Sequence, residues 1–536
     1  MRGGALLPNL PAVRRATLGV LVVCGLAGCL AACSPDGDDA TGPGVTAAGT
    51  TTAGTTTVPG TTPPELLEVT SATWDEGSFT LSDGAPTHDW GVVAAPAEGG
   101  PYPVAVILHG NHPTCPTDTG GGTWPCPAGT EQPNHEGLTY LAEALAARGF
   151  VAVAPGINVQ YTFGAGEPAT AVRTAEIVDH TLTALEDGAL GPAAGLADTS
   201  RLVMIGHSVG GQDASLIAAG ATSVTHPVAG VVMLQPALND AAALPLVDVP
   251  AVVVLSECDG DTGVRGGEYV TTALRATRRT PAAAIVLERA NHNFTNSLLR
   301  PDSFPVEAPA CDAGGVLDAQ QQRDLLAEWV PELAHAVLGD GAGGGWAGAV
   351  FDEPAVPAGV RLGVVTAGEA VAPLPGAGPQ PPAETTSQGM TLTFCPEGYY
   401  TPFAEPGTEP CHRPELAMMV GFPRTIAASW DAAGASLTLP VDARAGTVAR
   451  LRVLPDFADE RLTSPLRLRL SAGSESVDVD IELPEVRRTQ LDPFEVSFGL
   501  AMWSTVTLPL PDGASELTVE VLGPGAGSMQ ILSLGT

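Results

Sequence analysis

The sequence predicts an α/β protein: a doubly wound, mostly parallel sheet over residues 69–340, followed by a smaller all-β sandwich over 384–536. Three observations carry this. Apolar β-rich runs alternate with helical spacings through the first region, as strand–helix–strand units do. One of those runs ends in Gly206-His207-Ser208-Val209-Gly210, immediately before a predicted helix. Beyond residue 384 helical spacing is scarce, and short alternating runs are separated by turn residues, the pattern of a sandwich. A chain of 536 residues is also too long for one ordinary core, which favours two domains plus tails.

Taken in order, residues 1–32 read as an export signal. Arg14 and Arg15 close a basic segment, 16–26 is apolar, and small residues follow. The apolar stretch is short for a spanning helix. Two tetrapeptides, Leu26-Ala27-Gly28-Cys29 and Leu30-Ala31-Ala32-Cys33, resemble a bacterial lipobox. Cleavage before Cys33 commits that cysteine to lipid and leaves six of the nine: Cys115, Cys126, Cys258, Cys311, Cys395 and Cys411. Cleavage before Cys29 would strand an odd thiol in an oxidising compartment, so Cys33 is preferred. Six cysteines allow fifteen pairings; closeness in sequence favours 115–126, 258–311 and 395–411. Residues 33–68 are rich in Thr, Gly and Pro and read as a flexible tether. The expected location is exported, as a membrane lipoprotein facing the cell surface or the periplasm.

Strands are expected at 90–94 and 103–108, a helix through Leu138, Leu141, Ala142 and Leu145, and an apolar run at 150–154. A helix over 169–185 precedes strands at 202–205, 228–234, 249–255 and 283–287, and Leu325, Leu326, Trp329, Val330, Leu333 and Val337 mark a last amphipathic helix. Pro, Gly and Ala dominate 341–383, a predicted linker. Short strands follow at 437–439, 450–453, 466–470, 477–483 and 517–521.

The formal net charge of −35 excludes nucleic acid as a partner, since nothing here could neutralise a row of phosphates. No cysteine or histidine cluster has metal-ligand spacing, and the expectation is no metal and no cofactor. Asp259-Gly260-Asp261 lacks the later ligands of a calcium loop.

The chemistry concentrates at strand ends, where catalytic groups gather in such sheets. Ser208 sits where a buried strand turns sharply into a helix, and glycines two residues either side fit because a Cβ there would strike the neighbouring strand and helix. After it, the 249–255 strand runs into Asp259 and Asp261, and the 283–287 strand into His292. The order Ser208, Asp259 or Asp261, then His292 supplies a nucleophile, an orienter and a base. Asp259 is preferred because Gly260 suits a turn that aims its carboxylate; Asp261 is the alternate. The backbone N–H groups of Val209 and Asn111, the latter after His109-Gly110 at an earlier strand end, are the expected oxyanion donors. His109 and His207 read as structural, and His112 is left open.

On these residues the chain resembles the α/β-hydrolase superfamily, and within it exported bacterial enzymes of the dienelactone hydrolase, platelet-activating-factor acetylhydrolase and cutinase-like polyesterase type. The carriers are Leu108-His109-Gly110-Asn111-His112, Gly206-His207-Ser208-Val209-Gly210, Cys258-Asp259-Gly260-Asp261 and Asn291-His292-Asn293-Phe294, over roughly residues 90–338. The resemblance implies a lipid-anchored serine hydrolase acting through an acyl-enzyme on small or medium carboxylic esters, with exposed polymer esters as a further class. A serine peptidase and an inactive surface binding protein on the same fold are the alternatives. Two departures stand out: the doubled acid, and a Gly/Pro/Thr loop between Cys115 and Cys126 beside the oxyanion loop. No long insertion separates the 228–234 and 249–255 strands, where lipases often carry a lid. The C-terminal region resembles galactose-binding-like jelly rolls; Trp430, Phe457, Phe494, Phe498 and Trp503 read as core rather than as a sugar platform.

Overall fold

The computed structural model describes residues 65–536 apart from 117–123, 161–168, 221, 223, 239–247, 263–265, 267–268, 270–277, 303–305, 308–310, 312–314, 368–370, 373–384, 396–424, 457–458, 460, 484–485, 492–493 and 500–502. The expected signal, the tether, Cys33 and Cys411 therefore lie outside the described residues, as does most of the 228–255 connection where a lid was considered.

Among the described residues the first ten strands are β1 Val69–Thr80, β2 Pro86–Pro96, β3 Tyr102–Leu108, β4 Val151–Pro155, β5 Ala197–His207, β6 Val228–Leu234, β7 Ala251–Ser256, β8 Ala282–Leu287, β9 Val306–Glu307 and β10 Val360–Val365. Interleaved helices are α1 Thr139–Ala147, α2 Ala169–Glu186, α3 Val209–Ala218 and α4 Ala319–Leu338. All the strands except β9 form one nine-stranded mixed sheet, in the order β1-β2-β4-β3-β5-β6-β7-β8-β10. Neighbours from β4 to β8 run parallel, and β1, β2 and β10 are antiparallel additions at the two edges.

Continuous apolar runs are what a strand covered on both faces requires. Val104, Val106, Leu202, Met204, Val231, Met233, Val253 and Ala284 point to one face, where α2 and α3 bring Ile177, Val178, Leu182, Leu216 and Ile217. The residues between them, among them Ala105, Ile107, Val203, Ile205, Val232, Val252 and Ile285, point to the other, against Leu141 and Leu145 of α1 and Leu326, Trp329, Val330 and Leu333 of α4. Helix α4 starts on a capping box, Asp318 accepting from Gln320 N and Gln321 N while Gln321 Oε1 accepts from Asp318 N, and it ends at left-handed Gly339.

The remaining strands are β11 Val371–Ala372, β12 Thr386–Gln388, β13 Met390–Cys395, β14 Thr425–Trp430, β15 Ser436–Pro440, β16 Val448–Pro455, β17 Leu466–Ala472, β18 Glu475–Ile481, β19 Val486–Leu491, β20 Phe494–Gly499, β21 Ser504–Pro509, β22 Glu516–Gly523 and β23 Gly527–Gly535. They form separate antiparallel sheets. One runs β13-β14-β23-β16-β21 with β11 beside β23, and another β12-β15-β22-β17-β18. Period-2 alternation sends Leu466, Leu468, Leu470, Leu517, Val519 and Val521 into a core shared with Leu451, Val453 and Ile531. Trp430 is in that core, its Nε1 donating to Pro524 O, and Trp503 is buried too. Phe457 and the side chains of Phe494 and Phe498 lie outside the described structure.

The expected linker at 341–383 needs correction. A short helical turn covers Gly345–Gly348, and 360–365 is β10, an edge strand of the large sheet paired with β8. Proline and glycine density hid a short alternating run whose Val360, Val364 and Val365 are buried. The segment also joins the two regions. Buried Arg452 of β16 donates from Nε and Nη2 to Val364 O, and Val365, Leu454, Trp503 and Leu532 enter the apolar cluster on the α2–α3 face. A third small sheet, β20-β19-β9, pairs Arg488 with Glu307 and Thr489 with Val306.

Candidate active site

Strand β5 ends at His207 and α3 begins at Val209, so Ser208 makes the whole turn, at φ 56° and ψ −124°. A left-handed φ at a non-glycine residue costs roughly 1–3 kcal/mol and persists only where its surroundings over-determine it. They do: Ser208 N donates to Leu234 O at 2.9 Å, and Ser208 O accepts from Ala237 N and Gly211 N, both at 3.0 Å. The flanking glycines are steric requirements. A Cβ on Gly206 would lie 2.1 Å from Gly210 O, and one on Gly210 would lie 2.4 Å from His109 O.

Past β3, the His109-Gly110-Asn111 loop folds over the serine so closely that a Cβ on Gly110 would meet Ser208 Cβ at 2.7 Å. The loop is braced by His109, whose Nδ1–H donates to Gly110 O at 2.8 Å and whose Nε2 accepts from Ile157 N at 3.0 Å. Those two bonds fix the tautomer, and burial lowers the His109 pKa to about 4, so the ring stays neutral. The Val209 N–H belongs to the first turn of α3, whose donors have no partner within the helix. Val209 follows Ser208 directly, and Gly110, the residue before Asn111, packs on the Ser208 side chain.

His292 follows β8 through a turn at Arg289, φ 62°. Its Nδ1–H donates to Asp259 Oδ2 at 2.8 Å, with both side chains essentially inaccessible. Asp261, by contrast, is exposed, and its Oδ2 stands 3.7 Å from Nε2, at the opposite edge of the ring. The geometry thus separates the two acids that sequence left as preferred and alternate: Asp259 is the carboxylate on Nδ1. Asp259 Oδ1 accepts from Asp261 N at 2.9 Å and Thr262 N at 2.7 Å, and Oδ2 also accepts from Thr262 Oγ1 at 2.9 Å. Burial disfavours a charged His292, but the Asp259 charge and hydrogen bond, with Asp261 and Asp302 behind them, outweigh it and raise its pKa to about 9. Nε2, the nitrogen that would face a nucleophile, is buried without a hydrogen-bond partner.

His207 donates from Nε2 to His292 O at 3.1 Å, and burial followed by the nearby His292 and His112 rings holds its pKa well below the ordinary value. It supports the backbone of the histidine loop. His112 is buried beside His207, ring centres 5.6 Å apart, with Nε2 unpartnered.

Several supporting residues carry no motif. Gln322 of α4 clamps Asn291, accepting from its N at 2.8 Å and donating to its O at 2.7 Å. The available signal was a glutamine one turn before Leu326 on the apolar stripe of that helix. Gln235, at φ 43° just past β6, accepts from Thr295 Oγ1 at 2.7 Å. Thr262 and Asp302 complete the set; nothing in their sequence surroundings distinguishes them.

Two disulfides frame the site, Cys115–Cys126 after the His109–Asn111 loop and Cys258–Cys311 beside Asp259. Both are pairings that sequence proximity favoured. Cys395 is also disulfide-bonded. These bonds belong to an oxidising, non-cytoplasmic environment. Among the described residues no helix is long and apolar enough to cross a membrane.

No protein-family model matches this chain, and no curated protein matches it either.

Proposed function

We propose that this protein is an exported serine hydrolase of the α/β-hydrolase type that cleaves carboxylic esters, with Ser208 as nucleophile, His292 as base and Asp259 as its orienter. The observation that carries the reading is the buried 2.8 Å His292–Asp259 hydrogen bond, made from loops at the carboxyl ends of β7 and β8, in a sheet whose β5 ends at the strained Ser208 turn. Buried charges are retained only where they are paired and hydrogen-bonded, and this pair fits the role of holding an imidazole in one tautomer.

In this reading Ser208 Oγ attacks the ester carbonyl as neutral His292 takes its proton on Nε2. The carbonyl oxygen becomes an oxyanion against the Val209 and Asn111 N–H groups. Collapse expels the alcohol, which leaves with the proton from His292, and the acyl group remains on Ser208. Water, deprotonated by the same imidazole, releases the acid and restores the enzyme. Asp259, hydrogen-bonded to Nδ1, stabilises the imidazolium. Small or medium esters are the proposed substrates, with polymer esters as an extension, and a lipid on Cys33 is the proposed anchor.

The test is a fluorophosphonate probe applied to the full chain, with the labelled peptide mapped by mass spectrometry. Labelling at Ser208 that is lost in His292→Ala supports an activated serine. A folded protein that does not label refutes the enzyme and favours a binding protein on the same fold.

A further inference from the structure

The Asp302 carboxylate touches both catalytic loops. Its Oδ2 accepts from Gly260 N at 2.9 Å and from His292 N at 3.1 Å, and its Oδ1 accepts from Asn293 N at 2.8 Å. Gly260 adjoins Asp259, so this carboxylate fixes the main chain on both sides of the Asp259–His292 hydrogen bond. Charge-assisted bonds to backbone N–H groups are roughly twice as strong as neutral ones.

The chain after Asp302 is fastened as well. Val306 and Glu307 pair with Thr489 and Arg488 of β19, and Cys311 is bonded to Cys258, the residue before Asp259. The acid loop is thus held to one downstream segment at two points, at Gly260 by a carboxylate and at Cys258 by sulfur. The ionisable groups around Asp302 are Asp259 and His292. Burial, then the Asp259 charge, raise its pKa to about 6, against the His292 charge and the N–H bonds that lower it.

We propose that Asp302 is a positioning residue for the Asp259–His292 pair, setting the separation of the two loops and adding a second negative charge behind the imidazole. The inference rests on the serine-hydrolase reading for its kinetic consequence, but its structural content can be measured without turnover. Asp302→Asn keeps an acceptor for Gly260 and His292 and turns an NH₂ toward Asn293 N, while Asp302→Ala removes all three acceptors.

In the full chain, histidine ¹⁵N NMR would give the titration midpoint of His292 and the resonance of its Nδ1 proton, alongside p-nitrophenyl acetate hydrolysis and the melting temperature. Asp302→Asn is expected to lower the His292 midpoint and to broaden the Nδ1 proton signal. It should lower kcat about tenfold with KM within about twofold, a loss of transition-state alignment rather than of binding. Asp302→Ala should lose more. An unchanged midpoint and proton signal in a folded Asp302→Asn protein would overturn the proposal. So would an activity loss that only tracks the melting temperature. Ser208 labelling in the unsubstituted protein judges the hydrolase reading separately, because the NMR result does not depend on it.

Discussion

Replacing Asp259 by Asn should separate the roles of the two acids more sharply than any other single change. The rise of the His292 pKa from 6.5 to about 9 corresponds to about 3 kcal/mol favouring the imidazolium. Asp259 supplies the largest favourable share, by charge and by hydrogen bond. The sign follows from linkage: a base whose folded pKa is raised adds stability in full below 6.5 and loses it as pH climbs through about 9. An imidazole must be neutral to accept the serine proton, so on the proposed hydrolase reading kcat/KM of the unsubstituted protein should rise with pH through about 9. In Asp259→Asn only the smaller contributions of Asp261 and Asp302 still oppose burial, the limb should move to lower pH, and kcat at the optimum should fall by about 10⁴ as the tautomer is lost. Asp261→Asn removes an exposed charge 3.7 Å from Nε2; it should cost less than about tenfold and lower the limb only slightly. The assay is p-nitrophenyl acetate hydrolysis from pH 5 to 10 with urea melts at the same pH values. A larger loss in Asp261→Asn, or a limb that Asp259→Asn leaves in place, would refute the reasoning.

Ser208→Ala should abolish ester cleavage and fluorophosphonate labelling while the melting temperature stays within a few degrees, checked by calorimetry; retained turnover would remove Ser208 from the mechanism. Gly210→Ala places a methyl 2.4 Å from the His109 carbonyl and should cost more than about 3 kcal/mol or prevent folding, read by denaturant titration. Gln322→Ala strips both bonds from buried Asn291 and should destabilise by about 2–4 kcal/mol with a drop in kcat, seen in melts and kinetics together. Cys33→Ala should move the protein from the membrane fraction to the soluble fraction on cell fractionation.

The sheet was legible because its central strands are apolar on both faces, and the three turns that carry Ser208, Asp259 and His292 were legible because each follows such a strand. Which of Asp259 and Asp261 meets His292 Nδ1 was not legible, since two carboxylates two residues apart differ only in which one turns inward. The supporting groups were hidden for a related reason. Gln322, Thr262 and Asp302 act on main-chain atoms through tertiary contacts, and a main-chain contact imposes no spacing on the sequence. Strand β10 was lost among prolines and glycines. It is only six residues long and sits at an edge, where its partner β8 contributes as much to its identity as its own alternation does.

The pairing of β9 with β19 has a consequence for how the protein matures. Residues 306–307 adjoin the segment that braces the acid and histidine loops, yet their strand partners lie at 488–489, and Val364 O at the large sheet's edge receives Arg452. A chain made and exported from its amino end will have Ser208, Asp259 and His292 in place long before those partners emerge. The sheet can collapse early on its own apolar runs, but the β9–β19 pairing and the Arg452 bonds to Val364 O close only when the last third of the chain arrives. Those two supports are thereby deferred to the end of synthesis, and a truncated product would carry Ser208, Asp259 and His292 without them.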